Sequence, residues 1–300
     1  MKSRQNRDEI VLAIKYTAPF PYEQREKIQV DFGGNGTKSL RLSLEASLKK
    51  LGTTYIDIFY VHWWDFTVSI PEFMRTLDDL AAAGKILHLG ISDTPAWVVS
   101  KANEYARCHG LRQFVVYQGL WNAGTRDFER DILPMCCAEG MAVVLYGTLG
   151  QGRFQTKAAF QEREKTNPGR TGPPINEHDK AISSALEEVA NARSTDIASV
   201  ALAYIRSKAP YIFPLIGGRK VEHLRGNIAA LELTLSEDDA KEIEKAYYFD
   251  HGFPHTFLSG SRFGQGTPRG AFGPRDVFLS DQMGHLDWVQ AERSLDSYYS

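Results

Sequence analysis

Three hundred residues, 43% of them hydrophobic, are enough for one large core and fit one or two domains. A formal net charge of −2, with no stripe dense in Lys or Arg, gives no ground for a nucleic-acid partner. No apolar run reaches the ~18 residues of a membrane span, the N-terminus MKSRQNRDEI lacks an apolar h-region, and Cys108, Cys136 and Cys137 are odd in number with two adjacent. The expectation is a globular cytoplasmic protein without membrane contact, disulfide framework or metal.

In chain order, IVLAIKY at 10–16 is the first strand, short and rich in branched side chains. A helix follows at 37–51, where Leu40, Leu44, Leu48 and Leu51 recur at helical spacing; Thr37 or Ser39 is its expected cap and Gly52 its stop. YIDIFYVH at 55–62 is the second strand, with a helix over 70–84, and ILHLGIS at 86–92 the third, with a helix over 96–109. FVVYQ at 114–118 and MAVVLYG at 141–147 are further strands, separated by a helix over 127–139. Residues 150–177, with several Gly and Pro, break the rhythm as a long functional loop does. Helices follow at 178–192 and 195–208, then the sixth strand IFPLIGG at 212–218 and a helix over 221–231. Ser236 with Asp239 opens a short helix over 236–246. Residues 250–300 show no sustained periodicity and read as a tail, draped over the molecule or disordered.

Strand–helix alternation with short apolar strands predicts a parallel sheet covered by helices, either a βα barrel or an open doubly wound sheet. The first strand is not followed by GxGxxG, which weakens the dinucleotide-binding version of the second. Lys15, His62, Ser92, Gln118, Tyr146 and Gly217 end strands, and in a barrel those ends share the face that carries the active site. The barrel is therefore favoured, although six strand–helix units are visible where a closed barrel has eight.

Five blocks carry a resemblance: AIKYT at 13–17, YVHWWD at 60–65, GISDTPAWVVSKAN at 90–103, VYQGLWN at 116–122 and FPLIGGRKVEHLRGNIAAL at 213–231. Together they resemble the aldo-keto reductases, in the branch of fungal aryl-alcohol dehydrogenases and norsolorinic-acid-reductase-like proteins, over about residues 6–258. The resemblance implies a TIM-type (β/α) barrel that binds NADP(H) across its C-terminal face and interconverts an aldehyde or ketone with its alcohol. It implies a catalytic Asp, Tyr, Lys and His, of which Lys15 and His62 match the last two. The Asp and Tyr belong to a DTAxxY-like segment before the Lys strand, and this chain begins just before that strand. The expectation is an incomplete barrel over 1–248, with about six of eight units, and an extension over 249–300. Strands 10–16 and 212–218 would then be open edges through which copies could associate.

Reducing a carbonyl requires a hydride and a proton. In the family a Tyr donates the proton, a cationic Lys lowers its pKa, and a His orients the carbonyl. Taken alone, Lys15 could be a solvent-reaching strand end and His62 a core histidine; the resemblance assigns both to the site. Trp63 and Trp64 either line a pocket for flat substrates or pack in the core. Ser92, Asp93 and Gln118 match the positions that hold the nicotinamide carboxamide, Asp93 standing where Asn is common. Tyr146 matches the ring that stacks on the nicotinamide. Gly147, Leu149, Gly150 and Gly152 form the pyrophosphate loop with Gln151 and Arg153, the arginine placed to meet a phosphate oxygen. Gly217, Gly218, Arg219 and Lys220, leading to His223 and Asn227, put glycines and cations at a strand-to-helix turn that the resemblance assigns to the adenosine 2′-phosphate. Without the resemblance this is a solvated basic turn.

The leading expectation is an NADP(H)-dependent oxidoreductase acting on an aromatic or secondary-metabolite carbonyl. The alternative is a non-catalytic NADP(H)- or metabolite-binding protein. A weaker third reading, a barrel enzyme for a phosphorylated sugar, leaves Ser92, Gln118 and Tyr146 unexplained.

Overall fold

The computed structural model describes residues 4–20, 26, 28–166, 175–218, 220–264, 270–273, 276–278, 280 and 284. Six strands, β1 (Ala13–Tyr16), β2 (Ile56–Val61), β3 (Ile86–Ser92), β4 (Phe114–Leu120), β5 (Ala142–Tyr146) and β6 (Ile212–Pro214), hydrogen-bond in that order. The sheet is parallel: Lys15 lies opposite Tyr60, Tyr60 opposite Gly90, and Ser92 opposite Gln118. Helices α1 (Thr37–Leu51), α2 (Ile70–Ala82), α3 (Ala96–His109) and α4 (Ile132–Ala138) fill the successive crossovers. Three more, α5 (Lys157–Thr166), α6 (Glu177–Ala192) and α7 (Ile197–Arg206), separate β5 from β6. Beyond β6 come α8 (Val221–Ala229), α9 (Glu237–Glu244) and α10 (His255–Leu258). Each crossover advances one strand in one direction, as in a βα barrel, whereas a doubly wound sheet reverses its strand order.

The chain forms two compact units, residues 1–119 with 135–143, and residues 120–134 with 144–300. In the first, Leu40 and Leu44 of α1, Phe73 and Leu77 of α2, and Val99 of α3 are buried, as are Phe59, Ile86 and Phe114 from the sheet. In the second, α6 and α7 bury Ile182, Leu186, Val200 and Tyr204. This unit also encloses charge. Arg126 donates to both carboxylate oxygens of Glu129 at 2.8 and 2.7 Å, and the Trp121 indole donates to Glu129 at 3.0 Å. Glu244 lies 3.4 Å from Arg126 and accepts from the Tyr204 hydroxyl at 3.1 Å. Glu129 is held below the ordinary carboxylate range: burial alone would raise its pKa, but the Arg126 hydrogen bonds, nearby cations and the Trp121 indole outweigh it.

Several boundaries differ from the periodicity. β1 is shorter than 10–16 because the Asp57 carboxylate takes the Leu12 N–H at 2.9 Å, while the Leu12 carbonyl accepts from both Asp57 and Ile58. The 127–139 helix splits into a 3₁₀ turn, Asp127–Glu129, and α4, whose first turn contains Pro134; a proline deeper in a continuous helix would clash with the preceding turn. β6 ends at Pro214, which has no N–H to offer, although Leu215 still donates to Leu145 at 2.7 Å. The supposed loop at 150–177 contains α5, and the tail contains α10 and a 3₁₀ turn at Ser261–Phe263. Neither Thr37 nor Ser39 caps α1: Gly36 is the N-cap, and the Thr37 hydroxyl instead meets Glu72 and Thr76 of α2 at 3.0 Å each. Gly52 stops α1 in the left-handed conformation, and Ser236 with Asp239 forms a capping box on α9, both as the sequence predicts. No helix among the described residues is long and apolar enough to cross a membrane.

Candidate active site

In the first unit the parallel register brings Lys15, His62, Ser92, Asp93 and Gln118 together at the C-terminal ends of β1 to β4. The Lys15 ammonium donates to Oε1 of Gln118, a residue 103 positions away in sequence. Lys15 is exposed by area, yet its surroundings desolvate the ammonium enough to lower its pKa, while Asp93 pulls the other way. The His62 pKa is lowered, first by desolvation and then by the Lys15 charge, against the pull of Asp93, which favours the neutral imidazole. Its backbone is fixed by donation to the Tyr16 carbonyl at 3.1 Å and to the Thr17 hydroxyl at 3.3 Å.

Two local devices hold these strand ends. Asp93 is in the left-handed region at φ 41°, and its N–H donates to the Gln118 carbonyl at 3.3 Å. The next residue, Thr94, is clamped by Tyr117, whose hydroxyl accepts from its N–H at 2.9 Å and donates to its carbonyl at 2.7 Å. Buried Asn35, after β1, and half-buried Asp65, after β2, bond reciprocally: Asn35 N–H to Asp65 Oδ2 at 2.7 Å, and Asp65 N–H to Asn35 Oδ1 at 2.8 Å. The Asn35 amide also donates to the Thr17 hydroxyl and the Trp63 carbonyl, at 3.1 and 3.0 Å. The adjacent tryptophans therefore part company. Trp64 packs edge-on against Phe73 with 5.3 Å between centroids, whereas Trp63, 38% exposed, lies 4.7 Å from the His62 ring.

In the second unit Tyr146 ends β5, and Gly147, Gly150, Gln151 and Gly152 all adopt positive φ, between 54° and 87°. A Cβ on Gly147 would fall 2.7 Å from Leu120, so glycine there serves both conformation and space. The Gly147 carbonyl accepts from the Asn122 amide at 3.0 Å. Leu149 is the N-cap of the 3₁₀ turn Gly150–Gly152. Arg153 is ion-paired with Asp179, a member of the capping box that starts α6, so a phosphate there would share the guanidinium with a carboxylate. Gly217 and Gly218 precede α8, of which Lys220 is the N-cap without a side-chain cap bond. Lys220 and His223 are exposed and Asn227 is buried. Arg219 lies outside the described residues.

Five positions escaped sequence reasoning: Tyr60, Asn122, Thr148 and the Asn35–Asp65 pair. Tyr60 shares strand parity with His62, and Asn122 sits in the VYQGLWN block, so signals existed for both. Asp65 closes the YVHWWD block, but nothing in the sequence ties it to Asn35, which it meets only through loops. The Ser92 and Thr148 hydroxyl oxygens are each buried and lack a hydrogen-bond partner among the described residues. Buried hydroxyls are ordinarily satisfied, so each of these two oxygens, one in each unit, is open to a hydrogen bond from a bound group.

The profile of the aldo/keto reductase family matches residues 1–248. Norsolorinic acid reductase B of Dothistroma septosporum is 58% identical over 295 residues, covering 98% of this chain and 75% of that protein. Norsolorinic acid reductase B of Aspergillus parasiticus is 56% identical over 297 residues, 98% of this chain and 78% of its own. An aryl-alcohol dehydrogenase of Pestalotiopsis microspora is 47% identical over 296 residues, 98% and 74% respectively.

Proposed function

The chain belongs to the aldo/keto reductase family and is an oxidoreductase, and on that premise we propose that it uses NADP(H) to interconvert an aromatic ketone or aldehyde with its alcohol. The observation that carries this reading is the cluster of Lys15, His62, Ser92, Asp93 and Gln118 on adjacent strand ends. When bound, the nicotinamide supplies and recovers the hydride. Ser92 and Gln118 hold its carboxamide, the serine through a hydroxyl that has no protein partner among the described residues. Neutral His62 hydrogen-bonds the carbonyl oxygen, the Lys15 ammonium stabilises the negative charge that develops there, and solvent water supplies the proton that completes the alcohol. Trp63, accessible beside His62, offers a flat face to an aryl substrate, which agrees with the names of the relatives.

The left-handed loop at Gly147–Gly152, with Tyr146, Leu149, Thr148 and Arg153, takes the nicotinamide face and the pyrophosphate. Gly217, Gly218, Lys220, His223 and Asn227 take the adenosine 2′-phosphate at the α8 N-terminus, which selects NADP(H) over NAD(H).

The test is a titration of the purified chain with NADPH and NADH by tryptophan fluorescence, with reduction of aromatic aldehydes assayed on the same sample. The expected outcome is NADPH binding at least about tenfold tighter than NADH, a difference of ~1.4 kcal/mol, together with turnover that Lys15→Met abolishes. Binding without turnover would leave a cofactor-binding protein and sink the catalytic reading. Equal affinity for the two cofactors would remove the 2′-phosphate assignment.

A further inference from the structure

The turn from β3 to α3 carries two residues of the site, Ser92 and Asp93, and it is held by a side chain from the neighbouring strand. Tyr117 stands on β4 opposite Ile91 of β3 and is buried. Its hydroxyl closes both main-chain groups of Thr94: it accepts from the N–H at 2.9 Å and donates to the carbonyl at 2.7 Å. Thr94 is itself buried, where main-chain groups need a partner within the protein. The Thr94 hydroxyl turns back to donate to the Ser92 carbonyl at 2.8 Å, so the two ends of the turn are tied to each other.

Between those ends lies a strained residue. Asp93 has φ 41°, in the left-handed region that residues other than glycine adopt rarely and at a cost in free energy. Such a residue persists where the chain is fixed on both sides of it. On one side, Ser92 is in register with Gln118, and the Asp93 N–H donates to the Gln118 carbonyl at 3.3 Å. On the other side stands Thr94, followed by Pro95, the N-cap of α3, which has no N–H to donate. The Tyr117 phenol suits that second side because one atom offers both a donor and an acceptor. A phenylalanine would keep the ring and lose both bonds.

We propose that Tyr117 is a positioning residue, whose hydroxyl locks the Thr94 main chain so that Asp93 stays left-handed and Ser92 and Asp93 stay in place at the site. It acts through the main chain of the turn and touches neither substrate nor cofactor in this role. The cofactor consequence rests on the function proposed for Ser92, so one arm of the test uses no cofactor.

Tyr117→Phe removes only the hydroxyl. The first arm reads the Asp93 backbone by NMR in the full chain without cofactor, through its HN–Hα coupling and Cα shift. Both are expected to leave their left-handed values in Tyr117→Phe, while those of Phe59 and Leu89 in the strands stay unchanged. The second arm is calorimetric titration. The Kd for NADPH is expected to rise about tenfold, while that for adenosine 2′,5′-bisphosphate, which lacks the nicotinamide, changes less than about twofold. An Asp93 that stays left-handed, or two ligands weakened alike, would make the phenol a packing residue and overturn the proposal. Should Tyr117→Phe not fold, the hydroxyl is removed in an Asp93→Gly chain instead, where the left-handed turn carries no strain. A folded double variant supports the proposal, and one that stays unfolded overturns it. If the unsubstituted chain binds no NADPH, the NMR arm alone decides the positioning role, and the failure belongs to the proposed function.

Discussion

Lys15 and His62 share an environment in which one carboxylate opposes desolvation. Burial lowers both pKa values, the Lys15 charge lowers His62 further, and Asp93 raises both. Neutralising that carboxylate removes the counterweight from both groups at once. In Asp93→Asn both pKa values therefore fall, and both limbs of the kcat–pH profile move toward acid. Activity is lost earlier on the alkaline side, where Lys15 deprotonates, and persists further on the acid side, where His62 protonates. A profile that stays in place would separate Asp93 from the site. The sequence pointed to Asp93 through its departure from Asn, but not to its electrostatic role, which depends on how close it lies to Lys15 across three strands.

At the scale of elements, the strands and helices were legible because apolar residues repeat with the right period. Where an element starts and stops was less so. Asp57 interrupting the β1 ladder and Pro134 resetting the helix before β5 are local events, yet the first depends on a strand 45 residues away. The Asn35–Asp65 bridge is of the same kind, joining the segment after β1 to the segment after β2. Asn35→Ala leaves the Asp65 N–H and the Trp63 carbonyl without their partner and leaves the Thr17 hydroxyl with only the His62 N–H. The expected cost is about 2–3 kcal/mol in chemical denaturation, together with a change in Trp63 emission as the His62–Trp63 segment loosens. A stability within about 0.5 kcal/mol of the parent would mean that water replaces the amide without loss.

At the scale of the whole molecule, a mostly buried polar group lies in the second unit, where Arg126, Glu129, Trp121 and Tyr204 are joined with half-buried Glu244. Glu129→Gln keeps the shape but removes the carboxylate facing a buried guanidinium. Because Glu244 remains 3.4 Å from Arg126, the expected destabilisation is at the low end for breaking a buried pair, ~3 kcal/mol. The same group predicts acid lability. Its folded pKa is depressed, so its contribution is complete above the ordinary carboxylate range and is lost as pH falls below it through the folded value. The gap in stability between parent and Glu129→Gln should therefore narrow below about pH 4 in urea titrations. A gap that is constant from pH 7 to pH 3 would contradict that assignment.

Alternating apolar periods determined the order of strands and helices, and five short blocks determined the family, because both are written in neighbouring residues. What the chain could not encode locally is which polar atoms meet. Lys15 reaches Gln118 across 103 residues, Arg153 engages Asp179, and of two adjacent tryptophans only Trp63 stays beside the site. Each outcome is fixed by strand register and helix packing, and a one-residue slip in register would send the same side chains to opposite faces.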